Sequence, residues 1–455
     1  MVELLKNVYD RQYILRLVRA LLETGLKINQ KKFMQKVMDS DWKKKGLKER
    51  TSHIRVCLYE VLPKDYLKAL PILLEAGKDF GGYEGMFFSE YVEFYGLDHW
   101  EESISALEVL TTYSSSEFAI RSFIKRDPVR GMKVLEKWSQ HNNAHVRRLS
   151  SEGCRPLLPW ATQLKIFRLD PDPVVKIISN LICDESPYVK KSVANNLNDI
   201  SKDHPELAIK VAKKWIKNKN PHTRWIVKHG LRTLLKKGEE KALALFNLND
   251  HNHFDLEEVN LKTPLVILNE YLEFNFKLNV KETGNFRLEY AIYFLKKNKS
   301  YTKKVFKISE REILKGEYSI GKKHHWKKIN TRTYYEGLHY LEIILNGKKI
   351  RTFPFLLWFK NSPYVTYMLL TENETIYTGV TTDFNRRYLE HSGKSRFKKG
   401  AKYTKANTPK YLLYLEKAEN RSEAQKRESA IKKLSRKQKE SLSWFNTIRD
   451  FLLPN

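Results

Sequence analysis

The sequence predicts three fold classes in succession: an all-α HEAT-like solenoid, an all-β immunoglobulin-like sandwich, and a small α/β domain. Three observations carry this. Apolar residues recur at helical spacing to about residue 245, with one segment repeated three times. The period then switches from 3.6 to 2 over roughly 250–360. Beyond that lies a short basic segment that mixes tyrosine-rich strand text with a helical stretch.

The first block is justified by its repeats. Val189, Val193, Leu197 and Ile200 mark one buried helical stripe, flanked by Lys190, Lys191 and Lys202. His145-Val146-Arg147, Tyr188-Val189-Lys190 and His222-Thr223-Arg224 align, at intervals of 43 and 34 residues. Each follows an Asn/Ser/Pro-containing turn and an earlier amphipathic helix, the pattern of stacked helical pairs. Six residues past the aligned Val146, Val189 and Thr223 stand Glu152, Asn195 and His229, beside the buried stripe, with Asp199 one turn on. Arg147, Arg148, Lys190, Lys191, Arg224, Lys228 and Arg232 surround them. Carboxylates inside a basic stripe oppose phosphate binding, and catalysis would explain them.

In the middle block, Leu272, Phe274, Phe276, Leu278 and Val280 alternate with Glu273, Asn275, Lys277 and Asn279. Leu288, Tyr290, Ile292 and Phe294 repeat the alternation, and Asn346-Gly347 between Leu341–Leu345 and Ile350–Phe355 signals a hairpin. Six or seven such strands in about a hundred residues fit a sandwich. His324-His325 is no metal pair, because adjacent strand residues point to opposite faces. A short stretch around Asn361-Ser362-Pro363 leads into the last block and implies a fixed mount on the sandwich.

Composition bounds the partners. A net charge of +30 on 455 residues points to a polyanion, while 41% hydrophobic and 12% aromatic residues exclude a disordered basic tail. Cys57, Cys154 and Cys183 lack metal-type spacing and indicate a reducing compartment. Met1 to Gln30 has no uninterrupted apolar run, so neither a signal peptide nor a membrane span is expected there. A cytoplasmic, nucleoid-associated monomer with no membrane partner is the expectation.

The last block carries the most specific chemistry. Tyr367 is followed by Tyr377-Thr378-Gly379, Arg386-Arg387, His391 and Glu428, and Lys394 to Glu440 holds sixteen Lys/Arg against five Asp/Glu. Cutting a phosphodiester needs a phenol or imidazole near the attacking water, a guanidinium on the phosphate and a carboxylate for a divalent metal. The segment resembles a GIY-YIG endonuclease domain. Val365-Thr366-Tyr367 and Tyr377-Thr378-Gly379 stand at its two triplets, and Gly400-Ala401-Lys402-Tyr403-Thr404 matches a signature of the small standalone members. Val365 replaces the first Gly, and the Asn that many members carry after the Glu has no match. The resemblance implies Tyr367, Tyr377, Arg387 and His391 as catalytic, with Glu428 holding one Mg²⁺ or Mn²⁺. Which tyrosine is the base stays open.

The first 360 residues resemble the AlkC branch of the AlkC/AlkD DNA alkylation-repair glycosylases. The match rests on Ser116–Arg121, His145–Trp160 (HVRRLSSEGCRPLLPW), Ser192–Ile200, Arg224–Gly230 and, in the sandwich, Thr331–Gly337. It implies excision of cationic bases such as 3-methyladenine and 3-methylcytosine without a cofactor. Glu117, Glu152 and Asp199 fall at its acidic positions, and Trp160 lies just past Pro156 and Pro159. A cationic base is already a good leaving group, so carboxylates that stabilise the developing positive sugar suffice. Arg121, Arg147, Arg148, Lys190, Arg224, Lys228, Arg232 and Arg332 are the expected DNA contacts, mostly to phosphates. The domains expected are 1–248 (glycosylase), 255–358 (DNA-clamping sandwich) and 363–445 (nuclease). A DNA-binding scaffold carrying an inactive nuclease relic is the alternative.

Overall fold

The computed structural model describes residues 5–249, 252–359, 362–393 and 407–452. Gly400–Thr404 of the expected signature lies outside them. The chain divides into two compact units, Met1–Leu235 and Lys236–Asn455.

The first unit is helical throughout, and the aligned segments begin equivalent helices: Ala144–Gly153, Pro187–Asp203 and Pro221–Gly230. Local chemistry sets their starts. Asn143 and Asn220 accept from the backbone N–H groups of His145 and His222, and Pro187 and Pro221 occupy the first helical position, where no N–H is needed. Val146, Val189 and Thr223 are fully buried, and the 187–203 helix packs between the other two. Gly153 and Gly230 hold the same repeat position. A Cβ would meet Ile120 at 2.6 Å in one case and Leu197 at 2.7 Å in the other, so glycine permits the close stacking.

The second unit holds both the sandwich and the nuclease-like domain. One sheet joins β1 (Phe254–Leu261), β3 (Tyr271–Val280) and β6 (Gly316–His325). The other has the order β2-β8-β7-β4-β5, from Leu265–Ile267, Lys348–Trp358, Gly337–Leu345, Gly284–Leu295 and Tyr301–Ile313. The expected Asn346-Gly347 hairpin joins β7 to β8, with φ of 48° and 80° at the two turn residues. Leu272, Phe274, Phe276 and Leu278 face Leu288, Tyr290 and Ile292 in the core. His324 packs inward against Tyr290 and Trp326, while His325 is exposed and stacks on Tyr271.

Strands β4 and β7 depart from simple alternation, because both of their faces are buried. On the second face Arg287 pairs with Glu289 and Glu310, and a C-terminal helix, Phe445–Leu452, lays Phe451 flat on Tyr340 at 3.5 Å. Tyr340 also donates to the Thr447 carbonyl at 3.2 Å. The mount is thus a shared core of Leu338, Tyr340 and Trp358 with Leu369, Leu413 and Ile448.

The last domain is built on a three-stranded antiparallel sheet, β10-β9-β11, from Ile376–Thr381, Tyr364–Thr371 and Pro409–Ala418. The helices Phe384–His391 and Arg421–Lys433 follow β10 and β11. Among the described residues no helix is long and apolar enough to cross a membrane.

Candidate active sites

In the first unit the acidic residues lie on one line of alternating charge. Arg148 pairs with Glu117 and stands 3.5 Å from Glu152 Oε1. Arg155 donates from Nη1 to the same Oε1 at 2.7 Å and from Nε to Asp199 Oδ2 at 2.9 Å. Lys202 donates to the other Asp199 oxygen at 3.1 Å. Glu152 is only 6% exposed and Asp199 2%, deeper than a position beside the buried stripe suggests, because the two arginines cover them. Burial pushes the Glu152 carboxyl up, but Arg148 and Arg155 outweigh it and hold the group below the usual carboxylate range. Glu152 is thus a fixed negative charge rather than a proton donor.

Trp160 stands apart from this buried line. It is 62% exposed, its φ of 65° is in the left-handed region that tryptophan rarely adopts, and its ring meets Tyr83 edge-on at 5.8 Å. Such strain persists only where surrounding contacts impose it. Lys48 Nζ donates to the Trp160 carbonyl, and Arg121 fixes the loop.

The structure corrects the expectation for Arg121, which is 2% exposed and no surface phosphate contact. It donates to the carbonyls of Gly153, Arg155 and Thr162 at 2.7–2.9 Å, tying the end of the Glu152 helix to the loop bearing Trp160. Arg147 is engaged by Asp184 at 2.6 Å and Arg148 by the acids above. Lys190 contacts His222 Nδ1 at 2.9 Å, and Arg232 donates to Asn195 Oδ1 and the His229 carbonyl. Arg224 is exposed, and Lys228 is partly exposed. In the sandwich Arg332 lies over the Phe294 ring at 3.9 Å, next to exposed Lys327 and Lys328. Sequence reasoning gave no role to Arg155; its spacing of three from Glu152 on a helix end was the available signal.

The second site gathers the tyrosines around an imidazole. Tyr367 on β9 places its hydroxyl 2.7 Å from His391 Nε2, and the Tyr377 ring meets His391 edge-on at 5.0 Å. Burial, with Arg387 adding to it, lowers the His391 pKa to about 4, so the ring is neutral near pH 7. Burial raises the Tyr367 phenol well above its ordinary value. Glu390, buried, accepts from Arg386 at 2.6 Å and Arg387 at 2.8 Å and so fixes the arginine. Its role was missed, although its spacings of three and four carried the signal. Glu428 sits on the 421–433 helix, which packs across β9 and β10, and pairs with Lys432 at 2.8 Å. Among the described residues no three metal-type side chains converge, so a metal here would rely on Glu428 with substrate and water oxygens.

Gly379 explains the second triplet. It is paired with Tyr367 across the sheet, and a Cβ there would meet the Tyr367 hydroxyl at 2.6 Å. Gly379→Ala should therefore push Tyr367 off His391 and cost about 1–3 kcal/mol of stability in this domain. An unaltered thermal midpoint for Gly379→Ala would show that the Tyr367 position tolerates the added methyl group.

Family models match residues 98–234 as a DNA alkylation repair enzyme, 255–358 as the C-terminal immunoglobulin-like domain of the uncharacterised protein YhaZ, and 363–441 as a GIY-YIG catalytic domain. The uncharacterised protein YhaZ of Bacillus subtilis is 45% identical over 345 residues, 76% of this chain and 96% of that protein. A UPF0213 protein of Halobacterium salinarum is 46% identical over 76 residues, 17% of this chain and 94% of its own. Among solved structures, the Pseudomonas fluorescens alkylpurine DNA glycosylase AlkC, bound to DNA containing an abasic site analog, is 32% identical with a TM-score of 0.75. It covers 78% of this chain and 99% of that one. The chain belongs to the AlkC-type DNA alkylation-repair family, carries a GIY-YIG domain after its immunoglobulin-like domain, and is an enzyme acting on DNA.

Proposed function

We propose that the first unit hydrolyses the N-glycosidic bond of cationic alkylated bases, 3-methyladenine and 3-methylcytosine among them, in double-stranded DNA. The observation that supports this best is the line Glu117–Arg148–Glu152–Arg155–Asp199, whose last three members are buried. As the base leaves, positive charge grows on the sugar, and carboxylates held in fixed positions stabilise it without reorganising. No cofactor is needed for this step. Trp160, held exposed in a strained backbone, offers its π-face to the cationic nucleotide. Release of methylated base from alkylated duplex by the full-length protein in EDTA tests the reading. Absence of release, with DNA binding intact, would favour the scaffold alternative.

The sandwich would clamp the duplex through Lys327, Lys328 and Arg332. Replacing all three with Ala should weaken binding and flatten the dependence of log K on log salt by about 2–3. An unchanged slope would remove this role.

The GIY-YIG domain would nick the strand at or near the resulting abasic site. Arg387 would neutralise the phosphate, Tyr367 or Tyr377 would assist the attacking water, and His391, whose Nε2 lies 2.7 Å from the Tyr367 hydroxyl, would exchange a proton with it. A Mg²⁺ or Mn²⁺ ion held by Glu428 would supply charge stabilisation at the scissile phosphate. Tethering raises the local concentration of nuclease at the new abasic site.

A further inference from the structure

A cavity of about 330 Å³ lies within the second unit, where the sandwich meets the nuclease-like domain. Both contribute apolar surface: Leu265 and Ile267 of β2 and Trp358 of β8 on one side, Val365 of β9 and Phe384 on the other, all buried. The volume falls at the small end of ligand sites, which span about 300–1,000 Å³. The acidic and amide groups that complete it are acceptors left unpaired. Glu270 and Asp383 are exposed at the rim, and the Glu270 carboxylate has no hydrogen-bond or ion-pair partner among the described residues. Asp383 Oδ1 accepts from the Arg386 backbone N–H at 3.0 Å, as the cap of the Phe384–His391 helix, while its Oδ2 has no partner among them. Asn385 Oδ1 is buried and also unpaired. A buried acceptor is costly to leave unmade.

This polarity is the reverse of the chain as a whole. On a protein of net charge +30, no Lys, Arg or His stands among the described residues that line the cavity. Lys417, over the Trp358 ring at 4.7 Å, pairs with Glu336 at 3.3 Å rather than with either rim carboxylate. A phosphate would be repelled by Glu270 and Asp383, and a purely apolar ligand would leave Asn385 Oδ1 unpaired. A flexible methylene chain carrying protonated amines satisfies both the apolar walls and the three acceptors.

We propose that this cavity binds an aliphatic polyamine of the spermidine class, its methylene chain against Trp358 and Phe384 and its ammonium groups at Glu270, Asp383 and Asn385. Such cations accompany nucleic acids as counterions. The site stands independently of the base-excision and nicking readings. Phe384 also meets the Tyr367 ring edge-on at 5.3 Å, and its helix carries Arg387 and His391, so the ligand braces the elements that hold the tyrosine–histidine cluster.

The test is calorimetric titration of the full-length protein, free of DNA, with spermidine and with hexane-1,6-diol as the uncharged chain. Spermidine should bind saturably and raise the thermal midpoint, and the diol should do neither. Glu270→Gln and Asp383→Asn should each weaken spermidine about tenfold, the loss of one charge-assisted contact. Asn is itself a good helix cap, so Asp383→Asn keeps the helix start while removing the charge. Asn385→Leu should abolish binding and raise the ligand-free midpoint, because it fills the cavity and removes the unpaired oxygen. The ligand-free midpoint of each variant reports its fold; should Asp383→Asn lower it, Glu270→Gln, at an exposed carboxylate, decides the matter. No saturable binding by the unaltered protein, equal binding of the diol, or full affinity in Glu270→Gln would overturn the proposal.

Discussion

Glu152→Gln is expected to lower release of 3-methyladenine from methylated duplex DNA by about 100-fold or more, roughly 2.7 kcal/mol of transition-state stabilisation. The amide keeps the shape and removes the charge that Arg148 and Arg155 hold in place. Arg148 keeps Glu117 and Arg155 keeps Asp199, but one negative charge fewer opposes the phosphates, so DNA should bind at least as tightly. That combination separates catalysis from structure. Breaking a buried pair also costs stability, about 3–5 kcal/mol in comparable cases, so the thermal midpoint must be measured beside the rate. A purely structural Glu152 would lose stability, binding and activity together. The pH dependence has a definite sign. The folded carboxyl sits below its ordinary value, so its contribution to stability is complete above the ordinary carboxylate range. It is lost as the pH falls through the lowered value. Undiminished base release by Glu152→Gln would end the catalytic assignment.

Glu428→Ala should reduce metal-dependent cutting at a defined abasic site by about 1,000-fold, close to 4 kcal/mol. The comparison uses a duplex with one abasic site, the full-length protein and the variant, each with Mg²⁺ or with EDTA. Only the unaltered protein with Mg²⁺ should cut. Glu428 lies far in sequence from the acid–arginine line, so base release by Glu428→Ala should equal that of the parent. Cutting that survives EDTA and is trapped by borohydride would instead indicate a lysine Schiff base and β-elimination. Equal cutting in all four reactions would refute the coupling of the two steps. No cutting in any would favour a DNA-holding relic.

Much of this was legible in the chain because it is local. The aligned starts at Ala144, Pro187 and Pro221 follow from Asn and Pro at helix starts and from a 3.6-residue apolar period. The β3 strand and the Asn346-Gly347 turn follow from alternation and from residues that tolerate positive φ. Tyr367, Tyr377 and His391 were singled out by the GIY-YIG resemblance, and the Tyr367 hydroxyl lies 2.7 Å from His391 Nε2 with the Tyr377 ring edge-on to the imidazole. Gly379 needed the register between β9 and β10 before its reason was visible, since the clash is with a residue on the paired strand.

By itself the sequence determined the succession of solenoid, sandwich and α/β domain, and the residues that carry the family resemblance. Period and turn chemistry act over a few residues, and one chain reports them directly. Only the tertiary structure decided which charges meet. Arg155 joins Glu152 to Asp199 across 44 residues, Arg121 turns inward to three carbonyls, and Phe451 buries the second face of β4 and β7 against Tyr340. A helical period shows which face a side chain is on, but depth and partner depend on the neighbouring helix or sheet. An arginine is a phosphate contact or a buried brace according to what lies 3 Å away.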